Sequence, residues 1–281
     1  MYPRTLNISK ITYGAVKPYG TSGGKSIFMA HDKKGITLQT PKMFAPFNLS
    51  KWDKKEKDKN GEEKASFKFD LLLSLNKPTP EEMAEEDDEK LSNLTVFTKK
   101  LMQLDEKLIN DGIEHSMNWL GKKITSKEVI SELYTPCVKW SRDKNTDEII
   151  DKYPPNFKVT IPYRNGQFEC KAYTGNISNP TKIDLSQVNL QKSYVTAIVQ
   201  CTGIWVVGKK YGTTWKVAQI MVDPKLELPD MAIRLVDNDN PSKKAAADDD
   251  EVDEEDHHGV EAGSDEIIDD SDDELEAGKK K

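Results

Sequence analysis

Cysteine, histidine and long apolar runs are all scarce in this chain, and each scarcity excludes something. The three cysteines, Cys137, Cys170 and Cys201, are odd in number and far apart. They make neither a disulfide framework nor a metal-ligand spacing, and they predict a reducing, intracellular setting. The sequons at Asn7, Asn48, Asn93 and Asn176 would not meet the glycosylation machinery there. No run of about 18 apolar residues exists, so no transmembrane helix and no membrane partner are expected. Residues 1–12 lack the apolar core of a signal peptide, and none is expected. Of the four histidines, His31 and His115 have no cysteine or carboxylate at ligand spacing, and His257-His258 sits among acids and reads as solvated. No metal and no other cofactor are expected.

The signatures of catalysis are missing too. Pro136-Cys137 is followed by no second cysteine at CxxC spacing and preceded by no HxE. Gly20, Gly23 and Gly24 before Lys25-Ser26 do not have the spacing of a phosphate loop and read as a flexible N-terminal loop. The chain is expected not to be an enzyme.

What is present is charge, unevenly placed. Of 281 residues 36% are apolar and 32% charged, with a mean hydropathy of -0.70, which is too polar for a chain folded throughout. Residues 245–281 hold 17 of the 48 acids and 3 of the 41 bases, a net charge of -14. The other 244 residues hold 31 acids and 38 bases, a net of +7. A basic body carrying an acidic tail points to a polyanion partner.

Apolar periodicity then divides the body. Ile36, Leu38 and Thr40 alternate as a strand does, and so do Phe67, Phe69, Leu71, Leu73 and Leu75. Between them residues 51–64, with six lysines, five acids and Asn60-Gly61, read as a solvated, flexible hairpin loop. After Pro80 the acids Glu81, Glu82, Glu85 and Glu86 favour a helix N-terminus. Leu94, Phe97, Leu101, Leu104 and Leu108 then form one helical stripe that Gly121 should end. A shorter helix is expected over 126–133. Strands resume at Phe157, Val159 and Ile161, and Arg164-Asn165-Gly166 turns into Phe168, Cys170 and Ala172. A long strand over 194–207, with Val195, Ala197, Val199, Cys201, Trp205 and Val207 on one face, turns at 208–212 and returns over 215–222. Beyond residue 238 almost nothing can bury. The expected fold is α+β. It comprises an N-terminal extension (1–26), an antiparallel OB-like β-barrel (27–237) with an inserted helical segment at about 80–133, and a disordered acidic tail (238–281).

Aromatic residues interleave with bases through the β segments. The set is Lys42, Lys51, Trp52 and Lys68 early in the chain. Lys139, Trp140, Arg142, Lys158, Tyr163, Arg164, Lys171 and Tyr173 follow. Tyr194, Lys209, Lys210, Tyr211, Trp215 and Lys216 lie in the last hairpin. Single-stranded nucleic acid is held by this mixture, cations tracking phosphates and flat rings stacking unpaired bases. Trp205 shares a face with Val195, Val199 and Val207, Trp119 follows the helical stripe, and both are read as core. The acidic tail could compete for the basic body or recruit replication proteins, and Ser264 and Ser271 lie in acid-directed kinase contexts. A second reading takes the chain as an acidic-tailed, chaperone-like or structural virion protein that holds basic partners.

The segment Leu38-Gln39-Thr40-Pro41-Lys42-Met43-Phe44-Ala45-Pro46-Phe47, followed after a charged gap by Phe67-Lys68-Phe69-Asp70-Leu71-Leu72-Leu73, resembles the single-stranded DNA-binding proteins of nucleocytoplasmic large DNA viruses. The resemblance implies an OB-like fold and a non-catalytic role on single-stranded DNA in viral replication, recombination or repair. It also implies residence at replication sites in the host cytoplasm or nucleus, or in the virion.

Overall fold

The computed structural model describes residues 1–20, 23–57, 63–143 and 145–223, the side chains of 53–66 excepted. The chain divides into two units, Met1–Glu227 and Leu228–Lys281, and every described residue belongs to the first. The expected tail, with Ser264 and Ser271, and the Asn60-Gly61 turn lie outside the described residues.

Strands β1 (Ile11–Tyr19) and β2 (Gly24–His31) form a hairpin, followed by the short β3 (Lys34–Gly35), β4 (Thr37–Gln39) and β5 (Met43–Ala45). A second hairpin joins β6 (Ser50–Lys57) to β7 (Glu63–Ser74). Helices α1 (Pro80–Ala84), α2 (Asn93–Glu114), α3 (Ser116–Leu120) and α4 (Lys127–Leu133) come next. Then follow β8 (Tyr134–Thr135), β9 (Val138–Lys139), β10 (Asn156–Ile161), β11 (Tyr163–Arg164), β12 (Gln167–Phe168), β13 (Lys171–Asn176) and β14 (Asn179–Ile183). The long hairpin of β15 (Ser193–Val207) and β16 (Lys210–Asp223) ends the described chain.

Among the described residues fourteen strands make one sheet, whose main path runs β1-β2-β15-β16-β10-β7-β6, while β11 and β12 pair separately. The path does not return on itself, so among the described residues the expected closed barrel is not formed. The cause lies in β16. It pairs β15 along its length and also takes parallel partners, β8 near its start, β10 at Lys216 and β13 beyond, so the sheet forks. Among the described residues the architecture is mixed α/β, with a large open sheet and four helices.

The apolar face of this sheet, with Leu71, Leu73, Phe157, Val159, Ile161, Val195, Val199, Val217 and Ile220, is buried together with Phe97, Leu101, Leu104 and Leu108 of α2. Phe97 meets Phe157 edge to face at 5.5 Å. Ser92 caps α2 by accepting the Thr95 N–H, and Ser126 caps α4 through Val129. The acids at 81–86 do not open the same helix as the leucine stripe. Thr79 and Glu82 form a reciprocal capping box on α1, with Pro80 at its first position, and that helix stops at Ala84. Three further expectations change. Residues 1–26 are not an extension, since they supply β1 and the start of β2 and bury Leu6 and Ile11. The lysine-rich 51–57 is strand, not loop. Trp205 and Val207 do not share the face of Val195 and Val199. A register shift between Cys201 and Ile204 reverses the alternation, so Ile204 and Val206 turn inward. Gly203 makes this possible, with φ +105° and a Cβ position blocked by the Ile27 carbonyl.

Candidate nucleic-acid interface

Residues paired directly across strands present their side chains on the same face. One such row crosses six strands, from Ser50 (β6) through Asp70 (β7), Thr160 (β10), Lys216 (β16) and Gln200 (β15) to Thr37 (β4). At a strand spacing of about 4.8 Å it extends about 24 Å. The face is the one opposite the core, and it collects half of the ring and cation positions expected from the sequence.

At one end Trp52, 60% exposed, pairs with Lys68. Lys68 and Lys158 both reach Asp70 Oδ2, at 3.2 and 3.3 Å, and Thr160 Oγ1 donates to Asp70 Oδ1 at 2.8 Å. Lys139 enters from β9, whose partner Asn156 shares the face of Lys158. Lys68, Lys139 and Lys158 together line a cleft of about 220 Å³. Among the described residues Asp70 is the one carboxylate within 4 Å of these three ammonium groups, and none reaches Lys139. Burial lowers the Lys139 pKa, and the neighbouring Lys158 lowers it further, more than Asp70 raises it. The site is a concentration of incompletely neutralised positive charge.

At the other end of the same face Tyr194 is 49% exposed and pairs with Phe44, their rings 5.5 Å apart edge to face. Lys42 holds its ammonium 5.2 Å from the Tyr194 ring and forms an ion pair with Asp223. Tyr173 reaches this row through Met221 and Thr196, and Lys171 lies opposite Gln219. Arg4, Lys42, Ile177 and Tyr194 line a cleft of about 530 Å³ there.

Other expected residues are elsewhere. Lys51 points away from Trp52 and lies 3.8 Å from the centre of the Phe67 ring. Tyr163 packs between Phe69 and Phe168, each at 5.0 Å, and Arg164 is held by Glu169 at 3.5 Å. Arg142 bonds the Asp147 carbonyl at 2.7 Å in an outer loop. Trp140 packs against the core, and Lys209 and Lys210 are exposed at the β15–β16 turn. Tyr211 and Trp215, expected to stack on bases, are 0 and 2% exposed. A ring enclosed on both faces offers none to a base, so both are core. Trp205, expected in the core, is half-buried and lines the lysine cleft. Asp70 and Thr160 were not singled out from the sequence. The only trace of them there is a polar residue in the strand alternation.

Among the described residues no group of histidine, cysteine and acid side chains could hold a metal, and no helix is long and apolar enough to cross a membrane.

A large forked sheet with one buried face and one polar face bearing rings and lysines defines the class of this protein by its architecture. The chain belongs to a family of unknown function, DUF5871, whose model matches residues 82–233, more than half its length. The segment that resembles the viral proteins, 38–75, lies outside that match. No curated protein matches the sequence. The solved structures similar to it at low level include two bacteriophage proteins. The single-stranded DNA binding protein gp2.5 of bacteriophage T7 is 8% identical with a TM-score of 0.35, over 71% of this chain and 98% of that one. The single-stranded DNA-binding protein of bacteriophage Enc34 is 7% identical with a TM-score of 0.32, over 81% of this chain and all of that one.

Proposed function

We propose that this protein binds single-stranded DNA, without regard to sequence and without catalysis, along the polar face of its sheet. The observation that carries the reading is the convergence of Lys68, Lys139 and Lys158 on one cleft, with a single carboxylate among them in the described residues and exposed Trp52 on the adjacent strand. Cations without enough acids attract a polyanion, and an exposed ring beside them favours unpaired bases over the stacked interior of a duplex. Tyr194, Tyr173 and Lys171 extend the same combination along the face, and Lys216 lies between the two ends. On this reading the protein coats single strands during replication, recombination or repair. The acidic segment 245–281, with its net charge of -14, would then compete for the same face or recruit basic partners.

The test is salt-titrated binding of the full chain to oligo-dT and to a duplex of equal length. Tighter binding to oligo-dT, weakening steeply with salt, is the expected result. Equal affinity for the two, or no binding at low salt, overturns the reading.

A further inference from the structure

The lysine cleft is blind. Its inner wall includes Phe157, Trp215 and Cys137, which are 0, 2 and 6% exposed, so it ends on the core. A strand passing through a site must enter and leave it, whereas a strand end need only enter. The volume of about 220 Å³ is below the ~300 Å³ at which pockets for whole small molecules begin. It has room for a phosphate and its waters.

The charges point the same way. Among the described residues, three ammonium groups set against Asp70 leave a local excess of two positive charges. An internal phosphodiester brings one negative charge, whereas a terminal phosphate monoester brings about 1.5 to 2 near neutral pH. Lys139, half-buried and without a carboxylate partner among the described residues, is the group an added anion would relieve. Thr160, Thr213 and Thr214 line the same walls.

Resting on the single-strand reading, we propose that this cleft captures the terminal phosphate monoester of a single strand, with Lys68, Lys139 and Lys158 as its cationic walls and the rest of the strand lying outward on the polar face. A strand end bearing phosphate is thereby held more firmly than one bearing hydroxyl, and the protein distinguishes the ends of a strand from its interior.

The experiment compares full-length protein on dT oligomers of one length carrying a 5′-phosphate, a 3′-phosphate or hydroxyls at both ends, at one ionic strength. One phosphorylated end should bind about tenfold tighter than the hydroxyl-ended strand, as charge-assisted bonds to a phosphate would give. The ³¹P resonance of that end should shift on binding. Lys139→Met should abolish the preference: it weakens binding of all three oligomers, as loss of a phosphate contact must, but weakens the phosphorylated one about tenfold more, so that the three then bind alike. If that variant does not fold, Lys158→Met and the ³¹P shift of the parent protein decide the matter. Equal affinity for all three oligomers overturns the capture of a strand end and leaves the single-strand reading standing. Failure to bind any of them overturns both. A preference that survives both substitutions places the phosphate outside this cleft. A shift of inorganic phosphate as large as that of the strand end, at the same concentration, assigns the cleft to free phosphate and overturns the proposal.

Discussion

The hydroxyl of Tyr211 donates a 3.1 Å hydrogen bond to the backbone carbonyl of Leu108, tying the start of β16 to the middle of α2. The ring reaches this carbonyl because Gly112, one turn further along the helix, has no side chain. A Cβ there would collide with the Tyr211 hydroxyl. Trp119 and Tyr134 pack against the same ring at 5.9 and 5.1 Å.

This contact makes Tyr211 a stability residue. Tyr211→Phe should cost about 1 kcal/mol, the worth of one buried hydrogen bond, and Tyr211→Ala about 3–5 kcal/mol through the cavity it leaves. Gly112→Ala should also destabilise, because helix and strand must separate to admit the methyl group. Urea denaturation measures all three, and a Tyr211→Ala protein as stable as the parent would show that the ring is not core.

Binding should respond to different rings. Trp52→Ala and Tyr194→Ala, at exposed positions on the polar face, should each weaken oligo-dT binding by about 1–3 kcal/mol with little change in melting temperature. Trp215→Ala, a buried ring at the floor of the lysine cleft, should lower the melting temperature far more than it weakens binding by the folded protein. The reverse pattern in titrations at a temperature where every variant is folded would move the stacking site to the β15–β16 turn.

Lys216 lies in the middle of the cross-strand row, beside Thr160 and Gln200. If the strand crosses the face there, Lys216→Ala should reduce the slope of log affinity against log salt by about 0.7, the value for one phosphate contact on a single strand. Arg142→Ala, in its outer loop, should leave the slope alone. Equal effects of the two would mean that the path does not follow the row.

Asp105 supplies the pH test. Its carboxylate accepts from the Tyr134 hydroxyl at 2.7 Å and from the backbone N–H groups of Cys137 and Val138 at 2.8 and 3.1 Å. Burial outweighs these three donors and holds its pKa above the usual carboxylate range. A carboxyl whose pKa is higher in the native state binds its proton more tightly there than when unfolded. The stability it contributes is therefore full below the ordinary aspartate pKa and falls as pH rises through the native value. Asp105→Asn removes this titration and faces an amide N–H₂ against one of the backbone donors, a loss of about 1–3 kcal/mol. The parent's advantage over the variant should be greatest in acid and shrink toward neutrality in parallel thermal melts. An advantage that grows with pH would show that the three donors prevail over burial.

How much of this was legible beforehand depends on range. Helix α4, the leucine stripe of α2, the strand of Leu71 and Leu73 and the long β15–β16 hairpin could be read because their signals repeat within a few residues. The turn at Asn165-Gly166 was legible for the same reason, both residues having the positive φ that a tight hairpin turn demands. The alternation of Phe67 to Leu75 fixed which residues face inward, and hence that Lys68 faces the other way.

The rest required residues far apart in sequence to meet. Lys68, Lys139 and Lys158 come from three strands with the helical segment between the first two, and no local pattern brings them to one cleft. Tyr211 and Trp215 stand beside lysines in the sequence exactly as exposed rings would, and only the packing of α2 over β16 encloses Tyr211. The glycine at 203 permits a bulge but does not require one, yet that bulge turned Trp205 from the core toward the cleft. Local periodicity determines which face of a strand is apolar. Which other strands and helices cover it, and what gathers on the opposite face, is decided by pairing across the whole sheet.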